Sequence, residues 1–471
     1  MKSPLVSRAT PQLSLRSTIF TGPKFCQGKK RESERLGEKG VGVGGTSPII
    51  LSKPDTFPGN AAHFIIHFIS TTIAICNKLT QNPLLHSLKT HTMSTIISTL
   101  ILLLILTGSF VATNALGVGI NYGQIANNLP PPSHVSTMLK SLNISRVKLY
   151  DADPKVLGSF ANSNVEFIIG LGNEYLPRMQ DPQEAQIWIQ QKVQPYLSQT
   201  KITCITVGNE ILGGQDSQLP QYLYPAMKAM YEALVNLGLH KQVYITTAHS
   251  LQILATSFPP SQGAFREDLV QFLQPILAFH AQTNSPFLIN VYPYFAYKND
   301  PNNVPLEYVL FEPNSGAIDP NTNLNYDNML YAQIDAVYSA IRALNYGGIR
   351  VQISETGWPS KGDENEFGAT VENAGIYHKN LIQRMQKREG TPANPSQPID
   401  IYVFALFNEN MKPGPTSERN YGLYYPNGTP VYNLGVQVQS YLPRMQFSAS
   451  RKNGLCVYNL LFLLIGLLMI A

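Results

Sequence analysis

The sequence is poor in charged residues, and that shortage narrows the class of protein it can encode. Only 14% of its 471 residues are Asp, Glu, Lys or Arg, whereas 44% are hydrophobic. This balance excludes a disordered chain and a coiled coil, which carry more charge and fewer hydrophobic residues. We therefore expect one large globular domain with appended segments.

Cysteine is also scarce. The four cysteines are Cys26, Cys76, Cys204 and Cys456. The first two precede an apparent signal sequence and the last lies in an apolar C-terminal run, so the mature domain keeps Cys204 alone. A single thiol supplies neither a disulfide nor a thiolate metal site, and we expect Cys204 to be a small buried hydrophobe. The sequence implies no metal and no organic cofactor.

A basic surface is missing from the central part of the chain. The whole chain has a net charge of +5, but residues 1–92 hold 12 basic and 4 acidic residues, which leaves 23 basic and 26 acidic residues beyond them. We therefore expect no nucleic-acid partner. A dinucleotide-binding fingerprint is absent too, because Gly117-Val118-Gly119 lies inside the first predicted strand instead of following it.

The N-terminal part differs in composition from the rest. Residues 1–92 are rich in Pro, Ser, Lys and Gly, and we expect them to be disordered or to come from a translation start placed too far upstream. Residues 93–115 have an apolar centre followed by small residues, which is typical of a signal peptide cleaved after Ala115. The mature domain would then span residues 116–447.

The C-terminal segment, residues 448–471, combines small residues, a short polar spacer and an apolar run to the terminus. This order resembles the signal for a glycosylphosphatidylinositol anchor, and a tail-anchored transmembrane helix is the alternative. Acceptor sequences for N-linked glycans at Asn143 and Asn427 agree with secretion. We expect a secreted monomer at the cell wall or at the extracellular face of the plasma membrane.

Short apolar or β-branched runs alternate with helical segments through the domain. Eight such runs cover residues 117–122, 146–150, 165–171, 202–211, 242–247, 287–292, 350–353 and 399–407. Helical segments are predicted over residues 181–193, 220–237, 265–280, 326–344 and 371–385. Eight strands alternating with helices predict a closed (β/α)8 barrel, in a single domain, over an open doubly wound sheet.

Two of these strands end on a glutamate. The run Ile202 to Ile211 has Glu210 near its end, and the strand that begins at Arg350 ends at Glu355. Because the carboxyl ends of all barrel strands share one rim, both acids are expected there. Two carboxylates at one barrel mouth indicate glycoside hydrolysis, in which one protonates the leaving oxygen and the other attacks the sugar or activates water. The alternative for Glu210 is a bond to the next helix N-terminus.

Six separate motifs occur in order along the domain. They are GVGINYGQIANNLP at 117–130, TVGNEI at 206–211, NVYPYFAY at 290–297, ISETGWPS at 353–360, FALFNEN at 404–410 and ERNYGLYYPNG at 418–428. Through them the sequence resembles the plant glucan endo-1,3-β-glucosidases of glycoside hydrolase family 17. The resemblance runs from about residue 117 to residue 441. It implies a (β/α)8 barrel that hydrolyses internal linkages of β-1,3-glucan with retention of configuration.

The resemblance also implies roles for the two acids. Glu210 would be the proton donor and Glu355 the nucleophile. A retaining pair stands about 5 to 5.5 Å apart, and the donor needs a raised pKa while the nucleophile stays ionised. Asn209 would bond the sugar 2-hydroxyl, and Tyr150 and Tyr292 would orient Glu355 or the sugar.

Six more residues are expected to contact the substrate or to support its site. Tyr294, Trp358 and Phe407 are candidates for stacking on sugar faces, with lining of the barrel top as the alternative. The other three, Glu409, Lys412 and Glu418, are expected to form a supporting salt-bridge network near the cleft.

Two rival functions fit the same residues. A non-catalytic wall protein would bind β-1,3-glucan in the same cleft, since a fold alone does not establish activity. A hydrolase of mixed-linkage 1,3;1,4-glucan would use the same two acids. The sequence does not distinguish defence against fungal walls from turnover of callose.

Overall fold

The computed structural model describes residues 118–434. The predictions for residues 1–92, 93–115 and 448–471 therefore lie outside the described residues. The strands are β1 (Gly119–Asn121), β2 (Arg146–Lys148), β3 (Glu166–Leu171), β4 (Lys201–Asn209), β5 (Tyr244–Ser250), β6 (Leu254–Thr256), β7 (Ala264–Phe265), β8 (Phe287–Asn290), β9 (Ala317–Ile318), β10 (Asn325–Tyr326), β11 (Val351–Thr356) and β12 (Ile401–Val403).

The α-helices alternate with these strands. They are α1 (Pro132–Ser141), α2 (Pro154–Ser159), α3 (Leu176–Met179), α4 (Pro182–Lys192), α5 (Pro220–Asn236), α6 (Glu267–Thr283), α7 (Pro293–Asn299), α8 (Leu306–Val309), α9 (Met329–Ala343) and α10 (Val371–Gln386). All five predicted helices are present, as α4, α5, α6, α9 and α10. The helices α1, α2, α3, α7 and α8 were not predicted.

Eight parallel strands close the barrel in the order β1-β12-β11-β8-β5-β4-β3-β2. Each corresponds to one of the eight predicted runs, so the predicted (β/α)8 barrel is confirmed. The two remaining pairs, β6–β7 and β9–β10, are antiparallel hairpins on the loops and were not predicted.

Packing inside the barrel differs from packing around it. Inside, Ile168, Cys204 and Tyr402 form a small cluster, and the thiol of Cys204 is buried as expected. The large core lies between the outer faces of the strands and the helices. A Cβ on Gly119 would stand 2.3 Å from the Tyr402 ring, so only glycine lets that ring fill the barrel.

Local sequence explains where the main helices begin. Asp181 accepts a hydrogen bond from the Gln183 amide at 2.8 Å, and Pro182 occupies the first helical position of α4. Asn328 caps α9 and Thr370 caps α10 in the same way. Each cap satisfies an amide that the helix itself leaves unpaired.

None of the helices in residues 118–434 combines the length and the hydropathy that a membrane span requires.

A substitution at Gly170 tests how closely β3 approaches the end of β2. An added Cβ would lie 2.3 Å from the main-chain oxygen of Tyr150, so Gly170→Ala must displace Tyr150. We expect it to lower the free energy of unfolding by about 1–3 kcal/mol, as overpacking does. The control is Gly158→Ala in α2, where an added Cβ meets nothing within 4 Å. Chemical denaturation measures both, and equal stability of the two variants would refute this packing.

Candidate active site

Register shifts near the ends of β4 and β11 orient the side chains of Glu210 and Glu355 toward one cleft. The pairing of β4 with β5 shifts register between Thr206 and Asn209, and Glu210 just beyond it has a left-handed backbone with φ 57°. The pairing of β11 with β8 shifts in the same way just before Glu355. Bulges of this kind redirect side chains beside active sites. Both acids line the same cleft at the carboxyl rim of the barrel, as predicted.

Asn290 at the end of β8 links the surroundings of the two acids. Its Nδ2 donates to Glu210 Oε1 at 2.7 Å, and its Oδ1 accepts a hydrogen bond from the Ser354 hydroxyl. Ser354 directly precedes Glu355, and Asn290 is also the ladder partner of Glu355. The orientation of Glu210 is thus fixed relative to the strand that bears Glu355.

Glu355 is buried and surrounded by hydrogen-bond donors. Its Oε1 accepts from Lys148 Nζ at 2.8 Å and from the Tyr150 hydroxyl at 2.7 Å, while Oε2 accepts from the Tyr292 hydroxyl at 2.8 Å. Burial alone would raise the pKa of Glu355, but the Lys148 charge and these three bonds together hold it below its usual value. The side chain is therefore an anion near neutral pH.

Glu210 has the opposite electrostatic setting. Burial raises the pKa of Glu210, and the negative charge of Glu355 raises it further. The bond from Asn290 acts against both effects without reversing them. The pKa values of the two carboxyls of one site are thus shifted in opposite directions, which is the pattern of an acid paired with a nucleophile.

The cleft has a volume of about 440 Å³. Aromatic rings and charged groups line it together, as in sites that bind sugars on ring faces and by hydroxyl contacts. The lining residues other than the two acids are Tyr122, Gly123, Gln124, Ile125, Tyr150, Asp151, Asn209, Tyr292, Phe295, Phe404, Glu409, Lys412, Glu418 and Tyr421.

A cluster of charges lies along one side of this cleft. Lys412 Nζ is 4.0 Å from Glu409 Oε2, 3.8 Å from Glu418 Oε2 and 4.2 Å from the centre of the Phe404 ring. The salt-bridge network expected from the sequence is therefore present. Glu409 Oε1 also accepts from the Ile125 amide at 2.8 Å, which ties the loop after β1 to the loop after β12.

The match to a known protein family covers the residues that form the barrel. The sequence model of the glycosyl hydrolases family 17 matches residues 118–436. The chain belongs to this family. It is 60% identical over 379 residues to glucan endo-1,3-beta-glucosidase 14 of Arabidopsis thaliana, with 80% of this chain and 95% of the relative covered. It is 57% identical over 340 residues to glucan endo-1,3-beta-glucosidase 11 of the same plant, with 72% and 80% covered.

Solved structures agree with the family 17 assignment. A beta-1,3-glucanase and allergen of Cryptomeria japonica pollen matches with a TM-score of 0.65 at 38% identity, over 67% of this chain and 98% of the other. A plant beta-glucan endohydrolase matches with a TM-score of 0.63 at 34% identity, over 67% and 99%. Both likenesses cover the barrel.

The prediction for the three sugar-stacking residues needs correction. Trp358 is fully buried and its Nε1 donates to the Gly368 carbonyl at 2.8 Å. Tyr294 is fully buried against Trp358, with ring centres 5.2 Å apart, and Phe407 is buried against Tyr122. Protein atoms cover these rings, so no face is left open to a sugar. The prediction that they stack on sugars was wrong, and the alternative of lining the barrel top fits.

The other predicted residues are in the site, and two residues that bond the acids directly were missed. Tyr150 and Tyr292 bond Glu355, and Asn209 lines the cleft beside Glu210. Lys148 and Asn290 were not identified. Lys148 is only 1% exposed, and the available signal was a lysine inside an otherwise apolar strand.

Another missed residue, Glu366, holds the loop that carries Glu418. It is buried and accepts from both the Ser417 amide at 2.9 Å and the Ser417 hydroxyl. The neighbouring Asp363 accepts from the Thr416 amide at 3.0 Å. The loop after β11 therefore fixes the 3₁₀ turn Thr416–Arg419, and with it the position of Glu418.

Other predicted sites are not involved in this cleft. Asn143 and Asn427 are exposed, and their glycosylation stays a prediction. Within residues 118–434, no group of three or more His, Cys, Asp or Glu side chains is placed to hold a metal ion.

The hydrogen bond from Tyr292 gives a pH prediction. Tyr292→Phe removes a donor that stabilises the Glu355 anion, so the pKa of Glu355 rises and the acidic limb of the kcat/KM profile moves to higher pH. We expect the maximal kcat/KM to fall about tenfold, as for the loss of a bond to a charged group. The control is Tyr294→Phe, which removes a hydroxyl of the same kind and leaves the ring packed against Trp358. An acidic limb that stays in place in Tyr292→Phe would contradict the assigned electrostatics.

Proposed function

We propose that this protein hydrolyses internal β-1,3-glucosidic linkages of β-1,3-glucan with retention of configuration. The observation that carries the proposal is the electrostatic difference between the two acids of one cleft, Glu210 with a raised pKa and Glu355 with a lowered one. The names of the family 17 relatives support the linkage, because both Arabidopsis proteins are glucan endo-1,3-beta-glucosidases.

In the first step, a carboxylate oxygen of Glu355 attacks the anomeric carbon while Glu210 donates its proton to the glycosidic oxygen. The bond from the anomeric carbon to that oxygen breaks, and the released chain leaves with the proton. Attack consumes the negative charge of Glu355. The donors Lys148, Tyr150 and Tyr292 keep that charge available and fix the direction of the carboxylate.

In the second step, Glu210 is a carboxylate and acts as the base. It takes a proton from a water molecule, whose oxygen attacks the anomeric carbon and displaces Glu355. Two displacements on opposite faces give net retention. The raised pKa of Glu210 suits both halves of this cycle, since the group must lose and regain one proton.

Asn209 is proposed to bind the sugar next to the bond that breaks. Its main chain is fixed by two bonds with the Asn173 side chain, at 2.8 and 3.0 Å. Its amide oxygen is buried without a hydrogen-bond partner among the described residues. A sugar 2-hydroxyl that donates to this oxygen would satisfy it, and such a bond strengthens as the transition state forms.

A binding-only role has less support, because such a protein has no need of two carboxyls with opposite pKa shifts. Mixed-linkage hydrolysis is likewise not favoured by the names of the relatives. Release of reducing ends from linear 1,3-glucan and from mixed-linkage glucan compares all three functions in one assay.

Secretion and membrane anchoring are also proposed, from residues 93–115 and 448–471. The pattern of an apolar centre and small residues supports the first, and the small, polar and apolar order supports the second. Release from membranes by a phosphoinositide-specific phospholipase tests the lipid anchor. Protein that stays with the membrane after treatment would favour a transmembrane tail.

The two acids should respond differently to neutral replacements. Glu355→Gln is expected to abolish hydrolysis, by at least about a thousandfold, because no nucleophile remains, while fold and glucan binding survive. Glu210→Gln should lose hydrolysis of glucan but keep the first-turnover burst of dinitrophenolate from a dinitrophenyl β-glycoside, since that leaving group needs no proton. Later turnovers of the aryl substrate are expected to be slow, because the base of the second step is missing. Burst kinetics, steady-state kinetics and calorimetric binding measure these outcomes.

Turnover of glucan by Glu355→Gln would remove Glu355 from the mechanism. Loss of that burst in Glu210→Gln, to the same extent as the loss on glucan, would remove the donor role from Glu210. The matched control is Glu232→Gln, because Glu232 on α5 pairs with Lys228 at 3.7 Å and is outside the cleft.

A further inference from the structure

Asn121 is a polar residue at the end of an otherwise apolar strand. It is the last residue of β1, and its side chain is fully buried. Its Nδ2 donates to the main-chain oxygen of Ser354 at 3.1 Å and to that of Val403 at 3.2 Å. These acceptors belong to β11 and β12, so the Asn121 amide joins three strands beside the rim that carries Glu355.

The two carbonyl partners fix the orientation of the Asn121 amide. A main-chain carbonyl only accepts hydrogen bonds, so the group that faces both carbonyls must be the NH2 group. The amide oxygen, Oδ1, therefore faces the other way, where the Tyr150 hydroxyl lies 3.1 Å from it. Because an amide oxygen carries no proton, Tyr150 must be the donor in this contact.

The Tyr150 hydroxyl thus lies between two acceptors but has a single proton. Glu355 Oε1 is 2.7 Å from it, and Asn121 Oδ1 is 3.1 Å from it. A carboxylate accepts a shorter and stronger bond than a neutral amide, so in the free enzyme the proton points at Glu355. Burial and the charge of Glu355 raise the pKa of Tyr150 well above its usual value, so the hydroxyl keeps its proton.

The balance between the two acceptors changes when a sugar bonds to Glu355. Ester formation removes the negative charge of the carboxylate, so its bond from Tyr150 loses the assistance of that charge. The amide oxygen of Asn121 is unchanged and becomes the stronger acceptor. The Tyr150 ring is held by the Lys148 ammonium, 4.7 Å from the ring centre, and by the edge contact with Phe404. A turn of the hydroxyl with a small shift of the ring is enough to exchange the acceptor.

We propose that Asn121 is a positioning residue that accepts the Tyr150 hydroxyl while Glu355 is bonded to sugar. This role rests on the proposed function, because it concerns the covalent intermediate of the retaining reaction. The hydroxyl proton turns to Asn121 Oδ1 when the anomeric carbon bonds to Glu355, and it turns back when water displaces Glu355. No covalent bond of Tyr150 forms or breaks. The buried hydroxyl is then paired at every stage, which lowers the barrier to the intermediate.

Crystal structures of the protein before and after trapping test the exchange without any substitution. The intermediate is trapped with a 2-deoxy-2-fluoro 1,3-β-glucosyl fluoride. We expect the distance from the Tyr150 oxygen to Glu355 to lengthen beyond 2.7 Å, and the distance to Asn121 to become the shorter of the two. A sugar on Glu355 with the Tyr150 oxygen still closer to Glu355 would overturn the role of Asn121 alone. If no sugar bonds to Glu355, the proposed function fails as well, so the two failures are distinguishable.

The rate of the first step provides a second test. Asn121→Leu keeps a similar volume but leaves no acceptor for Tyr150. We expect the pre-steady-state release of dinitrophenolate from a dinitrophenyl β-glycoside to slow about tenfold, the effect of one lost buried bond. In the Tyr150→Phe background the same substitution should change this rate by less than about twofold, because the hydroxyl is absent. A tenfold loss in both backgrounds would mean that Asn121 only joins strands.

The acidic limb of the kcat/KM profile separates this role from a loosened site. Asn121 competes with Glu355 for the Tyr150 proton, so Asn121→Leu is expected to leave the limb in place or to move it to lower pH. A loosened site would lose donors to Glu355, and a limb at higher pH would count against the exchange. The matched control is Asn328→Leu, because Asn328 is also fully buried but caps α9 outside the cleft. It should lower the stability and leave the rate of the first step unchanged.

Discussion

The buried ion pair of Lys148 and Glu355 is the interaction on which the site depends. Both side chains are nearly inaccessible to water, so each charge is tolerated only because the other is 2.8 Å away. Loss of one partner of such a pair costs about 3–5 kcal/mol, since the other is left as an unpaired buried charge. Tyr150 and Tyr292 complete the setting by donating to the same carboxylate. The pair therefore creates a stable anion where a nucleophile is needed.

The barrel brings this pair together from distant parts of the chain. Lys148 lies on β2 and Glu355 on β11, 207 positions apart in sequence. Glu210 directly follows β4, which is separated from β11 by β5 and β8 in the strand order. Bulges near the ends of β4 and β11 then turn both acids toward the cleft. Burial raises the pKa of Glu210, and the negative charge of Glu355 raises it further, so the ionised group favours the protonated form of its neighbour.

The sequence predicts those features of the site that depend on residues close together in the chain. Glu210 and Glu355 could be found because each ends a β-branched run, and parallel strands share a rim. Lys148 was missed because its partner is on another strand, and only the closed barrel shows that its charge faces the interior. Trp358 was misassigned for a related reason. An aromatic residue in a loop motif looks available to a ligand, and its burial under Gly368 depends on how that loop folds back.

We propose Glu355 as the group that bonds to sugar, because the pKa of its carboxyl is lowered whereas that of Glu210 is raised. The most direct test is to trap the covalent intermediate with a 2-deoxy-2-fluoro 1,3-β-glucosyl fluoride and to locate the label by peptide mass spectrometry. We expect one sugar per chain, attached to the peptide that contains Glu355. A label on Glu210 or Glu409, or turnover without any covalent adduct, would contradict it.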